Sequence, residues 1–172
     1  APSRWINAGT YVLEPSVLDR IPMGRRVSVE RETFPALVEA GSLFAFESDV
    51  YWVDAGTPES YLEANLDLVG GRRGDAMTAV ADGVDVADDA DVRDSVVMAG
   101  VRVGAGAAVT GSVVMPGATV GAGATVDRSV VGWDARVGDR AHIRDLTVLG
   151  QDARVAADEK LVAARRPPAG NA

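Results

Sequence analysis

Val103-Gly104-Ala105-Gly106-Ala107-Ala108-Val109-Thr110-Gly111-Ser112-Val113-Val114 returns seventeen residues later as Val120-Gly121-Ala122-Gly123-Ala124-Thr125-Val126-Asp127-Arg128-Ser129-Val130-Val131. The register extends in both directions from about residue 84. One aliphatic column is Val86, Val103, Val120 and Val137; a second is Val92, Val109, Val126 and Ile143; a third is Val97, Val114, Val131 and Val148. Small residues keep the same period: Gly104, Gly121 and Gly138, then Ala107, Ala124 and Ala141, then Ser95, Ser112 and Ser129. A period of this length signals a solenoid, here a parallel β-helix whose coils carry three short strands, each sending one aliphatic side chain inward. Successive coils are expected about 4.8 Å apart, the ordinary strand spacing. The glycines and alanines are expected at corners, where a Cβ or a larger side chain would clash. Gly104-Ala105-Gly106 resembles the opening of a phosphate loop. It lies inside the valine register, however, and joins no strand to a helix, so it reads as a corner.

Residues 1–69 have a different grammar. Ala8 to Leu13 reads as a strand, Pro15 to Arg20 as a short helix stopping near Ile21-Pro22. Ser28 is placed to cap a helix that runs through Phe34, Leu37 and Val38 and stops at Gly41. Leu43 to Glu47 and Tyr51 to Val53 read as two further strands. Thr57-Pro58 then opens a helix with Tyr61, Leu62, Leu66 and Val69 at helical spacing. The expected organisation is an α/β portion over 1–69, a linker over 70–83 centred on Gly70-Gly71-Arg72-Arg73-Gly74, the β-helix over 84–156, and a tail over 157–172. Within that tail two readings stand: a short helix over 156–166 that lays Leu161 and Val162 on the last coil, or a polar end. An α/β portion this thin is expected to need its apolar faces covered by something outside it.

Composition narrows the function classes. A net charge of −8 argues against general nucleic-acid binding. No apolar run reaches the roughly 18–20 residues that span a bilayer, and the first residues lack a signal-peptide layout, so the cytoplasm is the expected compartment. There is no cysteine, which excludes disulfides and thiolate metal sites, and a single histidine, His142, leaves little room for imidazole chemistry. The acidic run Asp82, Asp85, Asp88, Asp89, Asp91 and Asp94 reads as a solvated face.

Three ordered segments are more specific. They are Ile6-Asn7-Ala8-Gly9-Thr10-Tyr11-Val12-Leu13, Val27-Ser28-Val29-Glu30-Arg31-Glu32-Thr33-Phe34-Pro35 and Tyr51-Trp52-Val53-Asp54-Ala55-Gly56-Thr57-Pro58. With the appended repeat, they resemble the closing part of a sugar-phosphate nucleotidyltransferase of the bacterial mannose-1-phosphate guanylyltransferase branch. The resemblance covers essentially residues 5–155. It implies an α/β fragment, the C-terminal part of a Rossmann-like catalytic domain, followed by a left-handed β-helix; the handedness comes from the resemblance alone.

The same resemblance implies an activity: a sugar 1-phosphate and a nucleoside triphosphate give an NDP-sugar and pyrophosphate with Mg2+. Mannose with guanosine is the favoured pair. By motif, Asn7 would contact the sugar or its phosphate, Glu30 would accept hydrogen bonds from sugar hydroxyls, and Asp54 would be a metal ligand. These residue types suit the chemistry. A hard cation bridging phosphates takes one or two protein carboxylates, and transfer needs positioning and charge neutralisation more than a nucleophile. Each residue also has a purely structural reading. Asn7 would bond backbone, Glu30 would sit in the first turn of a helix, and Asp54 would satisfy the donors of its own turn. The glycine-rich, arginine-containing loop, the later lysine, the second aspartate and the Glu-Lys-Pro segment of the family have no counterpart before Asn7. The chain by itself is therefore expected to be inactive, and a homo-oligomer through the β-helix is expected. Two other readings compete: a hexapeptide-repeat acyltransferase using His142, and a non-catalytic scaffold or regulatory homologue.

Overall fold

The computed structural model describes residues 5–167. The chain divides into two compact units, residues 1–52 and 53–172.

In the first unit, order comes from short helical pieces. A 3-10 helix spans Pro15–Arg20, with proline at its start and the Ile21 N–H bonded back to the Leu18 carbonyl. The segment behind Ser28 begins as a π-helical turn, Val29–Thr33, and continues as α1, Phe34–Glu39. Ser28 occupies the cap position, but its side chain makes no capping bond; the Glu32 carboxylate instead accepts from the Ser28 N–H at 3.3 Å. Gly41 ends the helix at φ +63°, and the Ser42 N–H and hydroxyl both reach the Leu37 carbonyl. Val17, Phe34 and Leu37 form a small core, with Val29 and Leu43 packed against it.

The strands expected at Ala8 to Leu13, Leu43 to Glu47 and Tyr51 to Val53 are not formed. A strand exists only by bonding a neighbouring strand, and no sheet among the described residues includes these segments. Several of their apolar side chains stand exposed: Val12 is 99% accessible, Phe46 95% and Phe44 86%.

The second unit opens with α2, Pro58–Val69. Its start is built as the sequence suggested. The Thr57 side chain accepts the Ser60 N–H at 3.2 Å, the Ser60 hydroxyl accepts the Thr57 N–H at 3.2 Å, and Pro58 occupies the first turn. The helix packs against the strand Val96–Val97.

A parallel β-solenoid follows. Three five-stranded sheets form its faces, and every strand bonds the equivalent strand of the next coil. Val103 lies opposite Val86 and Val120, and Val109 opposite Val92 and Val126. Val103, Val109, Val120 and Val126, with Val97, Val114, Val131, Val137 and Ile143, are 0–2% exposed and fill the axis, and Val86 and Val92 pack partly buried against them. Burying one such side chain contributes about 1.5–3 kcal/mol, so the columns hold the coils together. Strands start at Asp85, with Val80 already bridging Val97, and run to Arg166. Residues 156–166 therefore do not form a helix. Lys160–Val162 and Arg165–Arg166 are the last strands among the described residues, because the pattern continues and their neighbours His142–Arg144 and Val148–Leu149 offer free ladder groups.

One column departs from its expected register. Leu149, not Val148, faces Val131 and the core; Leu149 is 1% exposed, and Val148 pairs with Val130 on the outer side. The coil holds one extra residue, taken up where Asp145 (φ 56°) and Leu146 (φ 63°) replace the single left-handed residue Arg128 (φ 43°) of the coil before. Thr147 thereby takes the position of Ser95, Ser112 and Ser129, and all four are buried.

Corners divide into two kinds. Gly104, Gly121 and Gly138 lack a side chain because the next coil is too close: a Cβ on Gly138 would lie 2.5 Å from the Ala157 nitrogen. The left-handed backbone falls elsewhere, as at Gly117 (φ 72°) and Gly123 (φ 65°), and passes in later coils to Asp134, Arg140, Asp152 and Asp158.

Candidate functional site

In the first unit the Ile6–Leu13 segment and the start of the Val29–Thr33 turn meet. Gly9 at φ +73° reverses the backbone, and its N–H donates to the Asn7 Oδ1 at 2.9 Å. A backbone N–H can only donate, so this bond fixes which end of the amide is oxygen. The Asn7 Nδ2 then points the other way, donating to the Tyr11 hydroxyl at 2.7 Å and to the Glu30 Oε1 at 3.1 Å. The Tyr11 hydroxyl closes the ring with a short hydrogen bond to the same Glu30 Oε1. The tyrosine ring is held edge-on against Phe34 at 4.8 Å between centroids, tying the cluster to α1 and the small core.

All three side chains are exposed, so no desolvation drives their meeting. The hydrogen bond to Glu30 is the main reason that the Tyr11 phenol is held above its usual pKa. Nearby, Arg25 pairs with Glu32 at 2.7 Å and lowers the carboxyl pKa, leaving Glu32 occupied with the helix start.

Asp54 stands in the second unit, just before α2. Its Oδ1 accepts the Gly56 N–H at 3.0 Å, which turns the chain into the Thr57 cap. The residue is exposed, and Oδ2 is open among the described residues. Tyr51 to Val53 are not a strand, so the carboxylate is aimed by its own turn and the helix cap. Among the described residues no group of three or more histidine, aspartate and glutamate side chains converges as a metal cage. A groove of about 830 Å3 between α2 and the solenoid corner, walled by Leu62, Leu66, Arg72, Arg128 and Leu146, includes none of Asn7, Glu30 and Asp54.

Asn7 and Glu30, named from separate motifs, are thus brought together, while each of the three candidates also performs the structural task that was its alternative. Asn7 bonds a backbone N–H, Glu30 lies in a first helical turn, and Asp54 satisfies its own turn. Tyr11 was missed. Its signal was present, since it lies four residues after Asn7 in the same segment, but a tyrosine among Val12 and Leu13 reads as strand filling. His142 points outward and is exposed, beside Thr125 and Lys160 in the neighbouring coils. No helix among the described residues is long and apolar enough to cross a membrane.

Comparison with known proteins divides the chain between residues 70 and 75. Residues 1–70 match the nucleotidyl transferase family model, and residues 75–165 match the model of the GMPPB C-terminal domain. The mannose-1-phosphate guanylyltransferase of Mycobacterium tuberculosis is 51% identical over 72 residues, which are 41% of this chain and 20% of that relative. The mannose-1-phosphate guanyltransferase of Candida albicans is 53% identical over 57 residues, 33% of this chain and 16% of its own length. That of Pichia angusta is 54% identical over 57 residues, with 33% and 15% covered. The matched stretches thus span a fifth or less of these relatives. The GMPPB C-terminal domain model covers more than half of the chain, which therefore belongs to that domain's family, with a nucleotidyl transferase match ahead of it.

Proposed function

We propose that the chain is part of an enzyme that makes an NDP-sugar, GDP-mannose in first place, from a sugar 1-phosphate and a nucleoside triphosphate. A phosphate oxygen of the sugar 1-phosphate bonds the α-phosphorus of the triphosphate, and the bond to pyrophosphate breaks. The observation that carries this reading is the hydrogen-bonded meeting of Asn7, Tyr11 and Glu30 within the stretch that matches the nucleotidyl transferase model. A carboxylate held by neutral donors at an exposed surface suits sugar hydroxyls, which donate to it without proton transfer.

Mg2+ fits Asp54 by its chemistry: one exposed carboxylate, one oxygen anchored and one open, is a usual protein share for a cation that also binds phosphates. Such an ion supplies charge neutralisation on the phosphates. The exposed Val12, Phe44 and Phe46 are the surface against which a nucleotide-binding portion of the catalytic domain packs. The solenoid serves assembly into a homo-oligomer, and the compartment is the cytoplasm.

The test is reconstitution. The chain replaces the corresponding end of the Mycobacterium tuberculosis relative, and pyrophosphate release is measured with GTP and mannose 1-phosphate. Activity of the fusion and silence of the 172-residue chain alone are expected. A folded fusion that turns over no sugar 1-phosphate with any nucleoside triphosphate overturns the reading.

A further inference from the structure

We infer that Tyr11 is a positioning residue, which together with Asn7 locks one oxygen of Glu30 and presents the other to the sugar. The inference rests on the nucleotidyltransferase reading and goes beyond it in dividing labour among the three side chains.

The argument is an inventory of donors and acceptors. The Tyr11 hydroxyl and the Glu30 Oε1 lie in nearly the same direction from the Asn7 Nδ2, so one amide hydrogen is shared between them, and the Asn7 Oδ1 is held by the Gly9 N–H. The Tyr11 hydroxyl gives its hydrogen to Glu30 and receives one from Asn7. Both lone pairs of the Glu30 Oε1 are therefore filled, by Asn7 and by Tyr11. As an acceptor for a ligand the cluster retains the Oε2 of Glu30, bonded to nothing among the described residues, with two lone pairs on a charged group; the second Asn7 Nδ2 hydrogen remains beside it as a donor. Asn7 directs its shared hydrogen at the Tyr11–Glu30 pair and is tied to the carboxylate through it. Its work, like that of Tyr11, is to stop the carboxylate rotating. The T-shaped contact of Tyr11 with Phe34 supplies the fixed point from which this is done.

A vicinal pair of sugar hydroxyls donating to one carboxylate oxygen is the ligand chemistry this leaves. Acceptors such as phosphate are repelled from the same oxygen.

Two measurements test the inference. In the 172-residue chain, NMR of the Asn7 side-chain amide is compared among the parent, Tyr11→Phe and Glu30→Gln. Both variants are expected to shift these resonances, and unshifted resonances in both overturn the ring of hydrogen bonds. In the reconstituted enzyme, Tyr11→Phe is expected to raise KM for the sugar 1-phosphate about tenfold, the loss of one hydrogen bond to a charged group. Its kcat and its KM for GTP are expected to stay within about twofold, because transition-state contacts are not removed. Glu30→Gln raises the same KM at least as far, and the double variant is no worse than Glu30→Gln alone. If Glu30→Gln raises KM and Tyr11→Phe does not, positioning by Tyr11 is wrong and the sugar site stands. If Glu30→Gln leaves KM unchanged, the reading of Glu30 as a sugar contact is wrong. Tyr11→Phe keeps the ring on Phe34, and an unchanged melting curve verifies that the fold is intact.

Discussion

Leu149 lies opposite Val131, eighteen residues earlier, whereas Val131 lies opposite Val114 at seventeen. Side chains alternate along a strand, so a one-residue slip exchanges inside for outside. The identity of the inward residue therefore has a direct consequence for stability. Leu149→Ala should cost about 2–5 kcal/mol, the range for truncating a buried leucine, while Val148→Ala should stay near about 1 kcal/mol. Deleting Leu146 should be tolerated, because it restores a seventeen-residue coil and keeps Thr147 and Leu149 inward. Thermal unfolding followed by circular dichroism reads all three; a larger loss in Val148→Ala than in Leu149→Ala would return the column to its original assignment.

This slip also marks how far sequence carries. The columns through Val103, Val109 and Val114 were legible because repetition multiplies a weak signal: one inward valine means little, and four at equal spacing leave one solution. The insertion was not legible, since Val148 and Leu149 are both aliphatic and adjacent. Only the ladder decides between them. The first unit shows the opposite limit. Thr57-Pro58 and Gly41 were readable because caps and stops are local chemistry, while Ala8 to Leu13 has strand-like composition and no neighbour to pair with. Asn7 and Glu30 were singled out from separate motifs, and the structure sets their side chains in contact. Tyr11 was not singled out, because its role appears only when residues 7 and 30 are placed side by side.

The buried serines form a ladder of their own. The Ser112 hydroxyl donates to the Thr110 carbonyl at 2.8 Å and accepts the Ser129 N–H at 3.0 Å, at 0% exposure. Ser112→Ala removes the hydroxyl and strands a buried backbone N–H. A loss of about 1–3 kcal/mol is expected, with Ser112→Thr less damaging because Thr147 already fills the equivalent place. Denaturant titration measures the difference, and a Ser112→Ala midpoint equal to the parent's would show that another group satisfies Ser129.

Gly138 tests the close approach of coils. Its backbone is not left-handed, so alanine is conformationally acceptable there, yet a Cβ would stand 2.5 Å from the Ala157 nitrogen and 2.9 Å from the Val155 carbonyl. Neither is the flexible end of a side chain. Gly138→Ala is expected to push the last coil away and lower Tm by several degrees. Gly123→Ala should cost less, about 1 kcal/mol of left-handed strain, since its corner is open apart from the Arg140 side chain. Equal melting curves for the two variants would refute the distinction.

Acid should loosen the end of the solenoid first. Arg140 binds Asp158 through two bonds, 2.8 and 2.9 Å, and Arg166 pairs with Glu159; both carboxyl pKa values are lowered, mainly by those arginines. A folded pKa below the unfolded one, about 4 for these groups, means that the stabilisation is present above that pH and lost as pH falls through the folded value. Amides of residues 156–166 are thus expected to lose protection below about pH 4 before those of the Val109 and Val126 strands. High salt at neutral pH should act in the same direction on the exposed Arg140–Asp158 pair. Uniform loss of protection along the coils on acidification would count against this order.

Asp54 does two jobs in the proposed reading, and asparagine separates them. Asp54→Asn keeps an oxygen for the Gly56 N–H and so keeps the turn that leads into the Thr57 cap. It removes the charge that a hard cation needs from a carboxylate. Asp54→Ala removes both. In the 172-residue chain, Asp54→Asn should melt with the parent, and Asp54→Ala should lose about 0.5–1.5 kcal/mol, one hydrogen bond's worth. In the reconstituted enzyme both variants should need about tenfold more Mg2+ or beyond for half-maximal pyrophosphate release, equivalent to at least ~1.4 kcal/mol of lost metal binding. A metal requirement unchanged in Asp54→Asn would leave Asp54 with the turn alone, because that substitution takes away the charge and the open oxygen a cation would use and keeps the oxygen that serves the turn.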